Sequence, residues 1–231
     1  MNYAIIAAGE GSRLRNEGIA TPKPLIPING EPLIDRLIRI FCDNSAESIS
    51  IICNEQMTDV AEHIRQLQKN YPLRLLVKST KSSMHSLYEL TLRFPDIGKG
   101  KTIVTTVDTF FSEIEFSRYA KNFSRPTFTD VYMGLTPYID DEKPLYAKTY
   151  GRTIVGYYDS PNGCTMVSAG IYGLSPKCIP ILHNCVMKGE KRMRNFQRAL
   201  ISKGIRIKPF IFSTVFDIDH ICDIEKAKSW K

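Results

Sequence analysis

Residues 3–14 read Tyr3-Ala4-Ile5-Ile6-Ala7-Ala8-Gly9-Glu10-Gly11-Ser12-Arg13-Leu14, and the chain then reaches Thr21-Pro22-Lys23-Pro24-Leu25. An apolar run over 3–8 breaks at two glycines and ends in an arginine. The run has the length and bulk of a buried strand. Gly9 and Gly11 allow a tight turn that presents successive N–H groups, and such nests bind anions. Ala7, Ala8 and Ser12 are small enough for a ligand to approach the backbone. The pattern describes a loop that cradles a polyphosphate, with Arg13 and Lys23 aimed at it. A plain strand-to-loop turn is the alternative that the Gly-x-Gly alone leaves open.

The GxxxxGK[ST] spacing of a Walker loop is absent, and Gly9-Glu10-Gly11 lacks the third glycine of a dinucleotide fingerprint. The two segments together resemble the nucleotidyltransferases that activate sugar 1-phosphates and related phosphate monoesters. The signature of that family runs approximately LAAGxGxRL and then PKPL. Its counterparts here are Ile6-Ala7-Ala8-Gly9-Glu10-Gly11-Ser12-Arg13-Leu14 and Pro22-Lys23-Pro24-Leu25. The resemblance implies that Ala7, Ala8, Gly9, Gly11, Ser12 and Arg13 contact a nucleotide, and that Arg13 and Lys23 serve catalysis.

Composition sets the frame. The 231 residues suit one domain and are 43% hydrophobic and 24% charged, enough for a real core. No apolar run approaches the ~20 residues that span a bilayer. The N-terminus reads as a strand rather than a signal peptide. Six cysteines lie scattered without a CxxC pair, so neither a zinc site nor a redox pair is expected, and a cytoplasmic setting is. The net charge is +7, with much of the excess between Lys188 and Lys208. That run lacks interleaved aromatics and any nucleic-acid motif. It reads as a solvated helix face or as an attractor of anionic phosphates, and no nucleic-acid partner is expected.

Strand and helix alternate along the first half. Strands are predicted over 3–7, 48–53, 73–77 and 102–107, with helices over 33–43, 58–70, 84–94 and 113–122. Such alternation argues for an α/β fold, a single Rossmann-like domain with a mixed, mostly parallel central sheet flanked by helices. In these sheets ligands sit beyond the carboxyl ends of the strands, where the first loop and Asp108 both fall. Later strands are predicted over 130–136, 145–150, 153–158, 167–173 and 205–210. Later helices are predicted over 176–184, 190–203 and 223–230. The chain is expected to form one nucleotidyltransferase domain over 1–231, with 1–128 as the nucleotide-binding half and 129–231 as the acceptor-binding half. It closes soon after Asp217, so no appended β-helix is expected.

Asp108 ends the apolar segment 103–107. A carboxylate there is costly unless paired or bound to a metal, although a turn or capping aspartate fits the same segment. The resemblance implies a metal ligand, with Val107 in place of the usual glycine. Asp217 and Asp219 lie two apart and point the same way on an extended segment. The resemblance makes Asp217 the second metal ligand, Asp219 a secondary candidate and Asp223 a helix-start residue. Mg²⁺ takes one or two carboxylates plus phosphate oxygens, so Asp108 and Asp217 form the candidate Mg²⁺ site. The implied reaction is in-line attack of an acceptor phosphate on the α-phosphorus of a nucleoside triphosphate, with loss of pyrophosphate. The acceptor is already anionic, so no general base is needed, and His63, His183 and His220 read as ordinary positions.

The segment 80–88, rich in hydroxyls, opens a helix suited to capping or anion contact. By resemblance Ser82 and Ser83 approach the base and ribose. Residues 167–172 resemble an acceptor-lining (N/S)-A-G-I-Y strand, which makes Ala169 and Gly170 acceptor-binding candidates; a strand bulge at Gly170 is the other reading. Sugar-handling relatives often carry Glu-Lys-Pro where this chain has Asp159-Ser160-Pro161, and Lys148 is a candidate replacement for that lysine. Sugar 1-phosphate is the leading acceptor and would give an NDP-sugar. Ser86-Leu87-Tyr88 resembles the branch that uses phosphocholine, which is second. Recognition of its ammonium needs an aromatic cage, whose placement a sequence does not reveal. A non-catalytic sugar-nucleotide sensor is the reading from another class, and a homo-oligomer is compatible with all of these.

Overall fold

The computed structural model describes residues 1–126 and 131–230. The boundary expected at 128/129 and the first residue of the strand expected over 130–136 lie outside the described residues. The first half contains β1 (Asn2–Ala7), α1 (Ser12–Asn16), β2 (Pro27–Ile28), β3 (Glu31–Pro32), α2 (Leu33–Asp43), β4 (Ser48–Cys53), α3 (Thr58–Leu67) and β5 (Leu73–Val77). There follow α4 (Ser83–Arg93), β6 (Thr102–Thr106), β7 (Thr109–Phe111), α5 (Glu113–Ser124), β8 (Val131–Thr136), β9 (Tyr146–Tyr150) and β10 (Thr153–Tyr158). The chain continues through β11 (Val167–Leu174), α6 (Ile179–Met187), α7 (Met193–Ser202), β12 (Ile207–Ile211), β13 (Val215–Asp217) and α8 (Ile221–Ser229).

The main sheet runs β10-β9-β11-β6-β1-β4-β5, with β8 paired to β11 and β12. The pairings make every strand of this sheet run with β1 except β10 and β11. The fold is therefore α/β with a mixed, mostly parallel sheet between helices. Strand periodicity divides the core in two. Tyr3, Ile5 and Ala7 pack on one face with α2, α3, α5 and α8, while Ala4, Ile6 and Ala8 pack on the other with α4, α6 and α7. On the first face Tyr3 stacks on Phe41 at 4.5 Å between ring centroids, and Phe41 on Phe116 at 5.4 Å. Burying each such side chain stabilises the fold by about 1.5–3 kcal/mol.

Several boundaries differ from the sequence expectation. Residues 12–16, expected as loop, form α1. The helix expected over 58–70 ends at Leu67, where i→i+3 bonds from Lys69 and Asn70 tighten the turn ahead of Pro72. The helix expected over 176–184 starts as a 3-10 turn, Pro176–Cys178, and becomes α-helical at Ile179. The helix expected over 190–203 starts at Met193, the strand expected over 205–210 spans Ile207–Ile211, and the last helix starts at Ile221. The two-stranded ribbon of β7 and β13 was not anticipated, because three-residue strands carry no readable period.

Two features of the sheet position the site. Adjacent β1 and β6 are parallel, with Ile6 opposite Thr106, so the first loop and Asp108 emerge side by side. The β7–β13 ribbon then carries Asp217 back, opposite Thr109, and the Ile218 N–H donates to the Asp108 carbonyl at 3.0 Å.

Candidate active site

The first loop turns at Gly11, whose φ of 62° lies in the left-handed region and which opens α1. A side chain there would meet the Lys23 Cβ at 3.4 Å. The loop and the lysine segment are thus packed against each other at a glycine. Asn54, at the end of β4, donates from Nδ2 to the Ala8 carbonyl at 3.3 Å and ties the loop to the sheet. Lys23 begins a 3-10 turn set by Pro22 and Pro24.

The Lys23 ammonium donates to Asp108 Oδ2 at 2.8 Å and to Asp219 Oδ1 at 2.6 Å. Its side chain is only 10% exposed. Burial alone would lower its pKa, but Asp108 and Asp219 override burial and hold it above the usual lysine range. Burial likewise pushes the Asp108 carboxyl up, and the Lys23 charge and hydrogen bond, helped by Thr106, carry it below the usual carboxylate range. Arg13 donates from Nη1 to Asp219 Oδ2 at 2.5 Å and lies 3.5 Å from Glu142. Asp219 therefore receives both basic side chains of the loop motif. The sequence ranked it second to Asp217, since both stand on one extended segment and their neighbours lie far away in the chain.

Asp217 opens onto the cleft, yet the protein around it withholds solvation. That desolvation, followed by the charges of Asp108 and Asp219, pushes its carboxyl up to about 8 against the opposing pull of Lys23. A hydrogen bond to Thr109 holds it. Thr106 and Thr109 share a hydrogen bond of 2.6 Å between their hydroxyls, so one threonine pair steadies both carboxylates. Arg36 braces this ribbon from behind. It donates to the Phe111 carbonyl at 2.6 Å and stands 4.2 Å from the Phe110 ring centroid. No group of three or more His, Cys, Asp or Glu is arranged to hold a metal among the described residues.

Two cavities flank these charges. One, of about 450 Å³, is lined by Ala8, Gly9, Gly11, Ser12, Ser82 and Ser83, with Lys23 and Asp108 at one side. Ser82 caps α4 by accepting from the His85 N–H at 3.4 Å, and Ser83 is the first residue of that helix. Ala7 is buried in the end of β1 instead, 2% exposed. The second cavity, of about 170 Å³, is lined by Ala169 and Asp217, and Arg13 turns toward this side. Gly170 lines neither cavity. Its φ of 71° makes the bulge in β11, and a side chain there would stand 3.1 Å from the Thr109 hydroxyl. Lys148 lines neither cavity. In the basic run, Arg194 and Arg198 both pair with Asp159, the latter at 2.7 Å, so part of its charge is internally matched.

Sequence reasoning missed Asn54, Thr106 and Thr109, and also Thr80 and Lys81, which line the first cavity. Each is an ordinary polar residue whose role follows from contact across the sheet ends. The hydroxyl-rich segment 80–86 was the one local signal among them, and Thr80 bonds Ser86 at 2.6 Å there.

Comparison with known proteins gives the family. The chain is 30% identical over 116 residues to 2-aminoethylphosphonate cytidylyltransferase from Lancefieldella rimae, which covers 48% of this chain and 44% of that protein. It therefore spans less than half the length of that relative. It is 26% identical over 179 residues to choline-phosphate cytidylyltransferase from Streptococcus pneumoniae, covering 73% and 74% of the two chains. The structure of the inositol-1-phosphate CTP transferase from T. maritima superposes with a TM-score of 0.80 at 17% identity, covering 99% of this chain and 96% of that one. That likeness speaks for the fold. A family model for the MobA-like NTP transferase domain matches residues 3–201, and the chain belongs to that nucleotidyltransferase family.

Proposed function

We propose that the chain transfers a nucleotidyl group from a nucleoside triphosphate to a phosphate-monoester or phosphonate acceptor. The observation that carries this reading is the pair of cavities on either side of the Lys23 ion pairs: Lys23 and Asp108 line one with the glycine loop, while Asp217 and Asp219, the other partner of Lys23, line the second with Ala169 and β13. The triphosphate occupies the first, its phosphates on the N–H groups of the loop. The acceptor occupies the second. Its phosphate oxygen forms the new bond to the α-phosphorus, the bond to the bridging oxygen breaks, and pyrophosphate leaves with the electron pair. Lys23 balances charge on the α-phosphate and the incoming oxygen, and Arg13, which lines the second cavity in this structure, turns from Asp219 to hold the leaving phosphates. Both basic groups exchange carboxylate partners for phosphate ones. Positioning and charge neutralisation dominate such a reaction.

A divalent ion, Mg²⁺ in this reading, fits the carboxylate set. Desolvation, followed by the charges of Asp108 and Asp219, pushes the Asp217 carboxyl up to about 8, and hard oxygen donors gathered in this way suit a hard cation. Asp108 and Asp217 would hold it, and when bound it supplies further neutralisation of phosphate charge. The chain is read as one domain in a cytoplasmic setting, and its six cysteines form no disulfide among the described residues.

Sugar 1-phosphate is one acceptor class, with an NDP-sugar as product. A second class, ammonium-bearing phosphates or phosphonates, is named in two relatives, and the acidic wall of the second cavity suits either class. The test is pyrophosphate release with Mg²⁺ across the nucleoside triphosphates, each against sugar 1-phosphates, phosphocholine and 2-aminoethylphosphonate. One productive pair establishes the reaction. Triphosphate binding without turnover on any acceptor would favour a sensor, and no triphosphate binding would overturn the loop reading.

A further inference from the structure

The second cavity is charged against a purely anionic ligand. Among the described residues six carboxylates line it, Asp140, Asp141, Glu142, Asp217, Asp219 and Asp223, and Arg13 is the only arginine or lysine that does. Some of these are already engaged: Asp219 binds Lys23 and Arg13, and Asp223 accepts from the N–H groups of Asp219 and His220. Carboxylates alone do not choose between a cation and the hydroxyls of a sugar, since both can satisfy them. The aromatic part of the wall does choose. Tyr138 and Phe216 both line the cavity, with ring centroids 6.4 Å apart and planes inclined by 61°. Between them, though not itself among the residues that line the cavity, stands an ammonium of the protein itself. Lys226 Nζ, from α8, lies 4.2 Å from the Phe216 centroid and 4.4 Å from the Tyr138 centroid, and it pairs with Asp140. Two ring faces and a carboxylate around one ammonium form an aromatic cage.

We propose that this cage recognises the ammonium group of the acceptor, and that Lys226 is a resident competitor for it. The proposal rests on the nucleotidyl-transfer reading and names the acceptor as an alkylammonium phosphate or phosphonate. The lysine is suited to yield, because its side chain is 30% exposed and long enough to swing into solvent. The rings are suited to stay. Phe216 is 5% exposed and packs on Trp230 at 5.2 Å, and Trp230 packs in turn on Phe110 at 5.5 Å. Phe216 also adjoins Asp217 on β13, so the cage and the reacting end of the cleft share one short strand. A short linker between ammonium and phosphate matches that proximity.

The test uses choline and ethanolamine as probes, with 3,3-dimethyl-1-butanol as a neutral isostere of choline. None carries a phosphate and none needs a nucleotide. Binding to the full chain is followed by calorimetry and by the fluorescence of Trp230, the only tryptophan. At least one ammonium probe should bind and the isostere should not. Tyr138→Leu should weaken that binding by roughly threefold to tenfold, the usual range for losing one cation–π face. Lys226→Met should tighten it by a similar factor. Where Tyr138→Leu does not fold, Asp140→Asn, at an exposed position, should weaken binding in its place. Failure of both ammonium probes to bind, binding of the isostere equal to choline, or no gain in Lys226→Met would overturn the proposal. Turnover on a sugar phosphate without ammonium binding would leave nucleotidyl transfer standing and sink only the cage. Ammonium binding without turnover on any acceptor would do the reverse.

Discussion

Thr109 stands opposite Asp217 in the antiparallel ribbon of β7 and β13 and hydrogen-bonds its carboxylate. One residue before Thr109, the chain carries Asp108. The ribbon thereby converts two segments more than a hundred residues apart into a single carboxylate pair, and the first prediction follows from that pairing.

Asp108→Ala should abolish metal-dependent turnover. The variant removes one of the two oxygen donors proposed for the ion and strips Lys23 of its 2.8 Å partner. Loss of the metal forfeits on the order of several kcal/mol of transition-state stabilisation, which is a rate loss of a thousandfold or more at ~1.4 kcal/mol per tenfold. Pyrophosphate release under saturating substrates measures it, and near-normal turnover would refute the site.

Arg13→Ala should weaken use of the triphosphate. This side chain bridges Asp219 and Glu142, so its removal also frees two carboxylates beside the cleft. The added negative charge acts in the same direction as the lost cation. The expected result is a raised KM for the triphosphate together with a lowered kcat. Unchanged values of both would show that Arg13 belongs to the carboxylates rather than to the phosphates.

The contrast between these two residues shows what local sequence can carry. The apolar strand at residues 3–7 and its glycine turn are visible because sheet burial on both faces demands an unbroken apolar run. Asp108 stands out because it ends such a run. Asp219 does not, for nothing in Phe216-Asp217-Ile218-Asp219 says which carboxylate meets a lysine almost two hundred residues earlier. The Tyr138, Phe216 and Lys226 cluster is hidden for the same reason, being drawn from the segment after β8, from β13 and from α8. Helix ends were misread where proline or a 3-10 turn, rather than hydrophobic period, decides them, as at Leu67 and Ile179.

A pH effect on stability should come from Glu17 and His220, which join the end of α1 to the start of α8. Glu17 accepts from the Ile221 N–H at 2.8 Å and meets His220 Nδ1 at 2.5 Å. The bond to Glu17 raises the His220 pKa from its ordinary 6.5, so its contribution is full below 6.5 and is lost as pH rises through the raised value. The bond to His220 lowers the Glu17 pKa from its ordinary 4.5, so its contribution is present above 4.5 and is lost as pH falls through the lowered value. The pair therefore stabilises most between these two ordinary values. Both groups are solvent-facing, so the effect is small and salt-sensitive. Melting temperatures of the wild type and Glu17→Gln should differ more at about pH 5.5 than at about pH 9. An equal gap at both would show that the bond to the Ile221 N–H alone carries the contact.

Gly11→Ala and Gly9→Ala should separate the conformational role of the loop from its openness. Gly11 has φ of 62°, which an L side chain adopts at a cost of about 1–2 kcal/mol, and the new Cβ would press on Lys23 at 3.4 Å. A Cβ at Gly9 meets nothing within 4 Å. Urea denaturation should therefore show Gly11→Ala destabilised by about 1 kcal/mol or more, with Gly9→Ala within about 0.5 kcal/mol of the wild type. Both variants should weaken triphosphate binding, because both glycines line the first cavity, where backbone N–H groups must be reached. Gly11→Ala should lose more, since the strain at its left-handed φ disturbs the turn itself. If Gly9→Ala binds triphosphate as tightly as the wild type while Gly11→Ala does not, the phosphates contact the loop through the α1 end and Lys23 and not along its whole length.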